Sequence, residues 1–255
     1  MPRDDTGYAV PVPERVRRVV SIVPSLTETV AVTAPELLVG ATDWCTRPEG
    51  LDVARVRGTK NPDLERIAGL RPDVVLGNTE ENRPADVAAM RAAGIPVWMT
   101  EIRTVDEALA SLRRMLAEAC RVPAPGWLDE ASRVWADVSP GAPRRAVIPI
   151  WRRPWMVVGR DTFAGDVLRR LGVSNVYAGH PDRYPKVPLD ELNAVGADLV
   201  VLPDEPYAFT GDDGPESFPG LDVALVSGRF LTWYGPSMAD APPALSRQLA
   251  GARAY

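Results

Sequence analysis

The chain has 255 residues, 45% hydrophobic and 25% charged, with a net charge of −5; that suffices for one large or two ordinary domains around a sizeable core. The acidic balance, without any long basic block, argues against nucleic acid or an acidic membrane surface as a partner. Two cysteines and a single histidine predict neither a disulfide scaffold nor a metal site, and no 18-residue uncharged apolar run predicts membrane insertion.

Residues 1–17, MPRDDTGYAVPVPERVR, read as an N-terminal extension without the apolar core or cleavage site of a secretory leader. On that reading the chain works in the cytoplasm, and a periplasmic or extracellular place requires a leader that has been removed. Arg18 to Val23 is a short β-branched run. Ser25-Leu26-Thr27-Glu28 then fits a capping box with Ser25 as N-cap, opening a helix to about Thr33. Leu38-Val39-Gly40 begins a second strand leading into Thr42-Asp43-Trp44-Cys45. Asn61-Pro62 suits a helix start, Asn as N-cap and Pro at the first position. Strand Val74 to Leu76 follows, then a helix from Pro84 to Ala93 stopped by Gly94, and a strand from Ile95 to Trp98.

A second capping box, Thr104 to Glu107, opens a helix to Ala119, and Trp127 to Val138 carries helical spacing of its own. Strand and helix alternate again through Ala146–Ile150, Thr162–Leu171, Leu199–Leu202 and Val223–Val226. Such alternation implies parallel sheets with crossover helices. One helix–turn–strand segment occurs twice, 125 positions apart. Leu64-Glu65 overlays Leu189-Asp190, Ile67 overlays Leu192, Asp73 overlays Asp198, and Glu80 overlays Glu205. The expected architecture is α/β, two Rossmann-like lobes at 18–122 and 142–255 joined by one connecting helix within 123–141.

In open parallel sheets ligands bind beyond the carboxyl ends of the strands. Those ends carry Thr42, Asp43, Trp44, Cys45 and Asn78 to Asn82 in the first lobe. In the second they carry Trp151 to Trp155, Asp204 to Tyr207, and Trp233-Tyr234. Together they predict a cleft between the lobes lined by aromatics, arginines and carboxylates. Trp44, Trp151, Trp155 and Trp233 could stack on a flat ligand, while Trp98, Trp127 and Trp135 read as packing residues. Lys60, Glu80, Glu81, Arg152 and Arg153 could pair with a charged ligand, with one another, or with solvent. No glycine-rich phosphate loop is present.

RVVSIVPSLTETV, GTKNPDLERIAGLRPDVVL and VPLDELNAVGADLVVL resemble the helical-backbone periplasmic binding proteins, receptors for vitamin B12 and ferric siderophores that feed ABC importers. EEN, WRRPWMVVGRDTF and WYG are similar to a leaderless, cobalamin-binding-like branch. The resemblance implies a non-enzymatic protein holding a small polar, aromatic or metal-chelate ligand, a corrinoid or an iron chelate, as carrier, store, sensor or importer component. The binding residues it implies are Trp44, Cys45, Thr59, Lys60, Asn78, Glu80, Glu81, Asn82, Trp151, Arg152, Trp155, Glu205, Tyr207, Trp233 and Tyr234. Thr59 and Asn78 stand where the vitamin B12 receptors carry tryptophans, which predicts a ligand with several polar groups. In the receptors one acidic residue per lobe meets arginines of an importer permease. By the resemblance these fall on Glu65 and Asp190, although each also suits the first turn of a helix. The alternative is a cytosolic enzyme using the same cleft, with Cys45, Glu80 or Tyr234 as its reactive groups.

Overall fold

The computed structural model describes residues 1–255. The chain divides into two compact units. The first comprises Met1–Glu101, Glu107–Asp129 and Tyr234–Pro236; the second comprises Ile102–Asp106, Glu130–Trp233 and Ser237–Tyr255.

The first unit is built on β1 (Val19–Ser21), β2 (Leu38–Ala41), β3 (Ala54–Arg55), β6 (Val74–Asn78) and β7 (Val97–Thr100). The hairpin β4 (Arg57–Gly58) and β5 (Asn61–Pro62) stands apart from that sheet. The spatial order is β3-β2-β1-β6-β7, and every pairing is parallel. All five residues of β6 are buried, as expected of a parallel strand covered on both faces. Its crossover helices are α1 (Pro24–Thr33), α2 (Leu64–Gly69) and α3 (Pro84–Ala92). Val20, Ile22, Ile67, Val75, Val87, Met90 and Met99 pack into one core between helices and sheet.

α4 (Val105–Arg114) runs on into a wider turn at Met115–Ala119, and α5 (Gly126–Ala136) carries the chain from the first unit into the second. The second sheet contains β8 (Arg144–Val147), β11 (Val173–Asn175), β12 (Leu199–Pro203), β13 (Asp222–Val226) and β14 (Arg253–Ala254). The hairpin β9 (Pro149–Trp151) and β10 (Met156–Val157) rises directly after β8. The order is β11-β8-β12-β13-β14, parallel except for the last pair. Its helices are α6 (Phe163–Arg170), α7 (Leu189–Ala194), α8 (Gly228–Thr232) and α9 (Ala241–Ala250). No helix is long and apolar enough to cross a membrane.

Several boundaries differ from the sequence expectations for local reasons. α1 opens at Pro24 with Val23 as its N-cap, so Ser25 lies inside the first turn instead of capping it; proline is preorganised for the first helical position. Asn61-Pro62 pairs as a strand, and Asp63 caps α2 by accepting from the Arg66 amide at 3.0 Å. β7 starts two residues late, because Pro96 has no amide and only its carbonyl is used, by Val75 at 2.8 Å. The expected strand from Ala146 to Ile150 splits into β8 and β9. Residues of the N-terminal extension join the first unit. Asp4, 2% exposed, pairs with Arg91 at 2.7 Å, and Asp5 accepts from the Glu101 amide at 3.0 Å beside the outer strand β7.

Candidate binding surfaces

In each sheet there is one place where the strand order reverses. In the first unit it lies between β1 and β6, in the second between β8 and β12. In open parallel sheets generally, ligands bind beyond the carboxyl ends at such a point, where the flanking helices lie on opposite faces. Asn78 ends β6 and Thr79 to Asn82 follow it, Trp151 ends β9 and Arg152 follows it in the hairpin after β8, and Asp204 to Tyr207 follow β12.

In the first unit that crossover point is tied together by amides. The Asn82 side chain accepts from the Asn78 amide at 2.8 Å and donates to the carbonyls of Ile22 (3.3 Å) and Thr59 (3.0 Å). Asn78 in turn donates to the Thr100 hydroxyl at 3.0 Å and accepts from the Glu80 amide at 2.8 Å. Both asparagines are buried, at 1% and 4% exposure, so their side chains hold the loop and present no surface. The polar tail after β6 is therefore a built-in clamp. Lys60 reaches across to donate to the Glu80 carbonyl, and Thr59, Glu80 and Glu81 are half-buried.

Beside it, Arg55 donates to the carbonyls of Thr42 (3.0 Å), Cys45 (2.8 Å) and Leu51 (3.0 Å), fixing the loop after β2. That loop displays Trp44, 68% exposed. The indole nitrogen approaches so closely that a Cβ at Gly58 would lie 3.3 Å from it and would also strike the Asn61 side-chain oxygen. Cys45, one residue on, points the other way. It is fully buried between Thr27 (3.0 Å) and Thr42 (3.1 Å). Burial pushes its thiol pKa up, and the two threonines and Arg55 offset only part of that. A thiol kept protonated and out of solvent is neither a nucleophile nor a ligand contact, which corrects both roles expected for it.

The second unit's loops use aromatics and charge. Trp151 is 43% exposed and meets the Tyr207 ring edge-on, centroids 5.7 Å apart. Trp155 is turned inward, stacked on Phe209 at 5.9 Å and edge-on to Phe218 at 5.2 Å; it packs the loop, correcting its expected place in an open cage. Arg152 lies over Trp155 and is ion-paired with Asp213 and with Glu216 (2.6 Å). Glu205 is half-buried, and Arg153 is exposed.

Trp233 and Tyr234 part company. α8 intervenes between β13 and Trp233, which is half-buried, so it does not leave a strand directly. Tyr234, expected in the second lobe, belongs to the first unit and is 5% exposed. The reason is Gly235, where a Cβ would come within 2.8 Å of the Thr29 hydroxyl and 3.1 Å of the Ser25 carbonyl on α1. No three histidine, cysteine or carboxylate groups cluster as metal ligands. A shallow cavity of about 360 Å³ near Arg133, Asp137 and Pro242 contains none of the predicted residues.

The sequence profile of the periplasmic binding proteins matches residues 19–217. This chain belongs to that family. It is 26% identical over 201 residues to the vitamin B12-binding protein of Salmonella typhimurium, spanning 76% of this chain and 73% of that one. The vitamin B12-binding protein of Pectobacterium carotovorum is 25% identical over 195 residues, spanning 73% and 69%. The solved structure of the periplasmic heme-binding protein BhuT with two hemes superposes with a TM-score of 0.76. It is 27% identical, covering 92% of this chain and 98% of that one. Helicobacter pylori CeuE with Ni(II) gives a TM-score of 0.82 at 14% identity, covering 98% and 88%, a likeness of fold alone.

The two most exposed tryptophans, Trp44 and Trp151, lie after β2 and at the end of β9. Arg55, Asp213 and Glu216 were missed by sequence reasoning. Arg55 looks like any charge after a strand. The GDDGPES run holding Asp213 and Glu216 could have been matched to WRRPW by charge alone, but nothing in the sequence fixes that pairing across 61 residues.

Proposed function

We propose that this protein binds a flat, partly apolar small molecule such as a corrinoid or an iron-bearing macrocycle, non-enzymatically, at the strand-end loops of its units. One observation carries the reading: of seven tryptophans, only Trp44 and Trp151 are substantially exposed, Trp44 in the loop after β2 and Trp151 at the end of the hairpin strand that follows β8. An uncovered indole in a crevice-forming loop offers a stacking face, and the natural partner is another flat surface. The relatives named for vitamin B12 and heme bind ligands of that shape. Thr59, Lys60, Glu80, Glu81, Glu205 and Tyr207 would meet the ligand's polar periphery.

Family membership supports an importer-type role, in which Glu65 and Asp190 would meet a permease. Both are exposed acids in the first turns of α2 and α7. A cytoplasmic carrier, store or sensor is the other role, and fractionation of native cells distinguishes the two by where the protein is found. The binding itself is tested by titrating apo-protein with cyanocobalamin, cobinamide, haemin and a ferric chelate while following tryptophan fluorescence. Quenching that saturates at micromolar ligand is expected for at least one macrocycle. If none of the four binds, or if only the non-planar chelate does, the stacking reading is wrong.

A further inference from the structure

We infer that Arg152 is a positioning residue that fastens the loop 204–218 under Trp151, and that this surface selects flat, uncharged or cationic ligand faces over anionic ones. The inference rests on the proposed ligand-binding role of Trp151. An arginine beside an exposed tryptophan invites the opposite reading, a fork for a ligand carboxylate. Its surroundings decide otherwise. The Arg152 side chain is only 14% exposed, with one terminal nitrogen donating to Asp213 and the other 2.6 Å from Glu216. Its planar face lies 5.4 Å from the Trp155 ring centroid.

Both carboxylates are themselves held. The second oxygen of Asp213 accepts from the Tyr207 hydroxyl at 2.6 Å, and that of Glu216 accepts from the Gly214 amide at 2.6 Å. Hydrogen bonds between ionised partners are the strong ones, and a ligand anion would have to replace two of them to engage Arg152. The guanidinium also meets two negative charges with one positive, so this cluster repels a further anion. The chain of contacts then runs Arg152 to Asp213 to Tyr207 to Trp151, whose ring meets Tyr207 at an interplanar angle of 79°. Arg152 thus acts on the ligand through the orientation of Tyr207 and Trp151.

The two readings part on one comparison in the full-length protein. Arg152→Ala and the double variant Asp213→Asn/Glu216→Gln should behave alike. Both should accelerate hydrogen exchange across 204–218 while leaving β8 and β12 protected, and both should weaken cobinamide binding by about tenfold. Arg152→Lys should restore little, since an ammonium cannot span both carboxylates. Were Arg152 an anion contact, Arg152→Ala would weaken haemin, with its two carboxylates, while leaving cobinamide affinity unchanged. That outcome, or unchanged exchange in Arg152→Ala, overturns the inference. If the wild type binds no macrocycle, the function proposed above fails, while the exchange comparison still decides whether Arg152 fastens the loop.

Discussion

The same strand-end position is built twice in this molecule with different chemistry. After β6 the loop is clamped by neutral amides, Asn78 and Asn82, with every bond directed at backbone or at Thr100. After β8 and β12 it is clamped by one guanidinium, two carboxylates and a stack of rings. One exposed tryptophan stands in each unit, Trp44 in the Arg55-held loop after β2 and Trp151 at the end of β9. A neutral, buried clamp ignores salt and pH but is costly to break, because each orphaned group loses its partner where water cannot replace it. A charged, partly exposed clamp tolerates damage better and responds to solution conditions.

The largest effect expected from that contrast is in Asn82→Ala. It strands the Asn78 amide and the carbonyls of Ile22 and Thr59 around a residue only 4% exposed. At ~1–3 kcal/mol per buried unsatisfied group, with partial relaxation, the loss should reach about 2–4 kcal/mol by urea unfolding. Arg152→Ala should cost clearly less in the same assay. Equal costs would erase the distinction between the clamps.

The tryptophans come next. Trp44→Ala and Trp151→Ala should each weaken macrocycle binding by about 1–2 kcal/mol, roughly tenfold, without lowering the unfolding midpoint. Trp155→Ala should do the reverse, lowering stability first, because its ring packs on Phe209 and Phe218. A ligand insensitive to both exposed tryptophans would mean that neither indole is a contact.

Acid should separate the clamps more gently. Burial alone would raise the Glu216 pKa, but the Gly214 amide and Arg152 outweigh it and hold the carboxyl below its ordinary 4.5. A depressed folded pKa means the stabilisation is complete above the unfolded value and fades as pH falls through the folded one. Protection from exchange across 204–218 should therefore begin to fall only once the pH drops below 4.5, before 78–82 responds. Simultaneous loosening of both loops would point to global unfolding instead.

Much of the fold was legible because it is local. Val74 to Leu76 and Leu199 to Leu202 announce buried parallel strands, and the repeat from Leu64 to Glu80 reappears as α7 and β12. The loop chemistry was not legible, for a physical reason. Asn82 bonds to Ile22, 60 residues earlier, and Arg152 to Asp213, 61 later; such partners are set by the crossover connections, not by sequence neighbours. Cys45 beside Trp44 shows the limit. A loop has no fixed period, so sequence alone could not tell that Trp44 would be exposed and Cys45 buried.

Where the units are alike, their responses should be alike, and here the smallest effect is expected. Glu65 and Asp190 occupy equivalent first-turn positions of α2 and α7, both exposed. A carboxylate there offsets the helix macrodipole by ~0.3–1 kcal/mol. Asp63 also caps α2 through the Arg66 amide, whereas Pro188 gives α7 no side-chain cap. Glu65→Lys should therefore fall at the low end of that range and Asp190→Lys at the high end, by thermal or urea unfolding. Neither residue lies in a strand-end loop, so the double reversal should leave macrocycle affinity unchanged while abolishing any permease-stimulated signal in an importer reconstitution. Loss of ligand affinity in that double variant would show that the binding surface extends onto these helices and has been placed at the wrong end of the sheets.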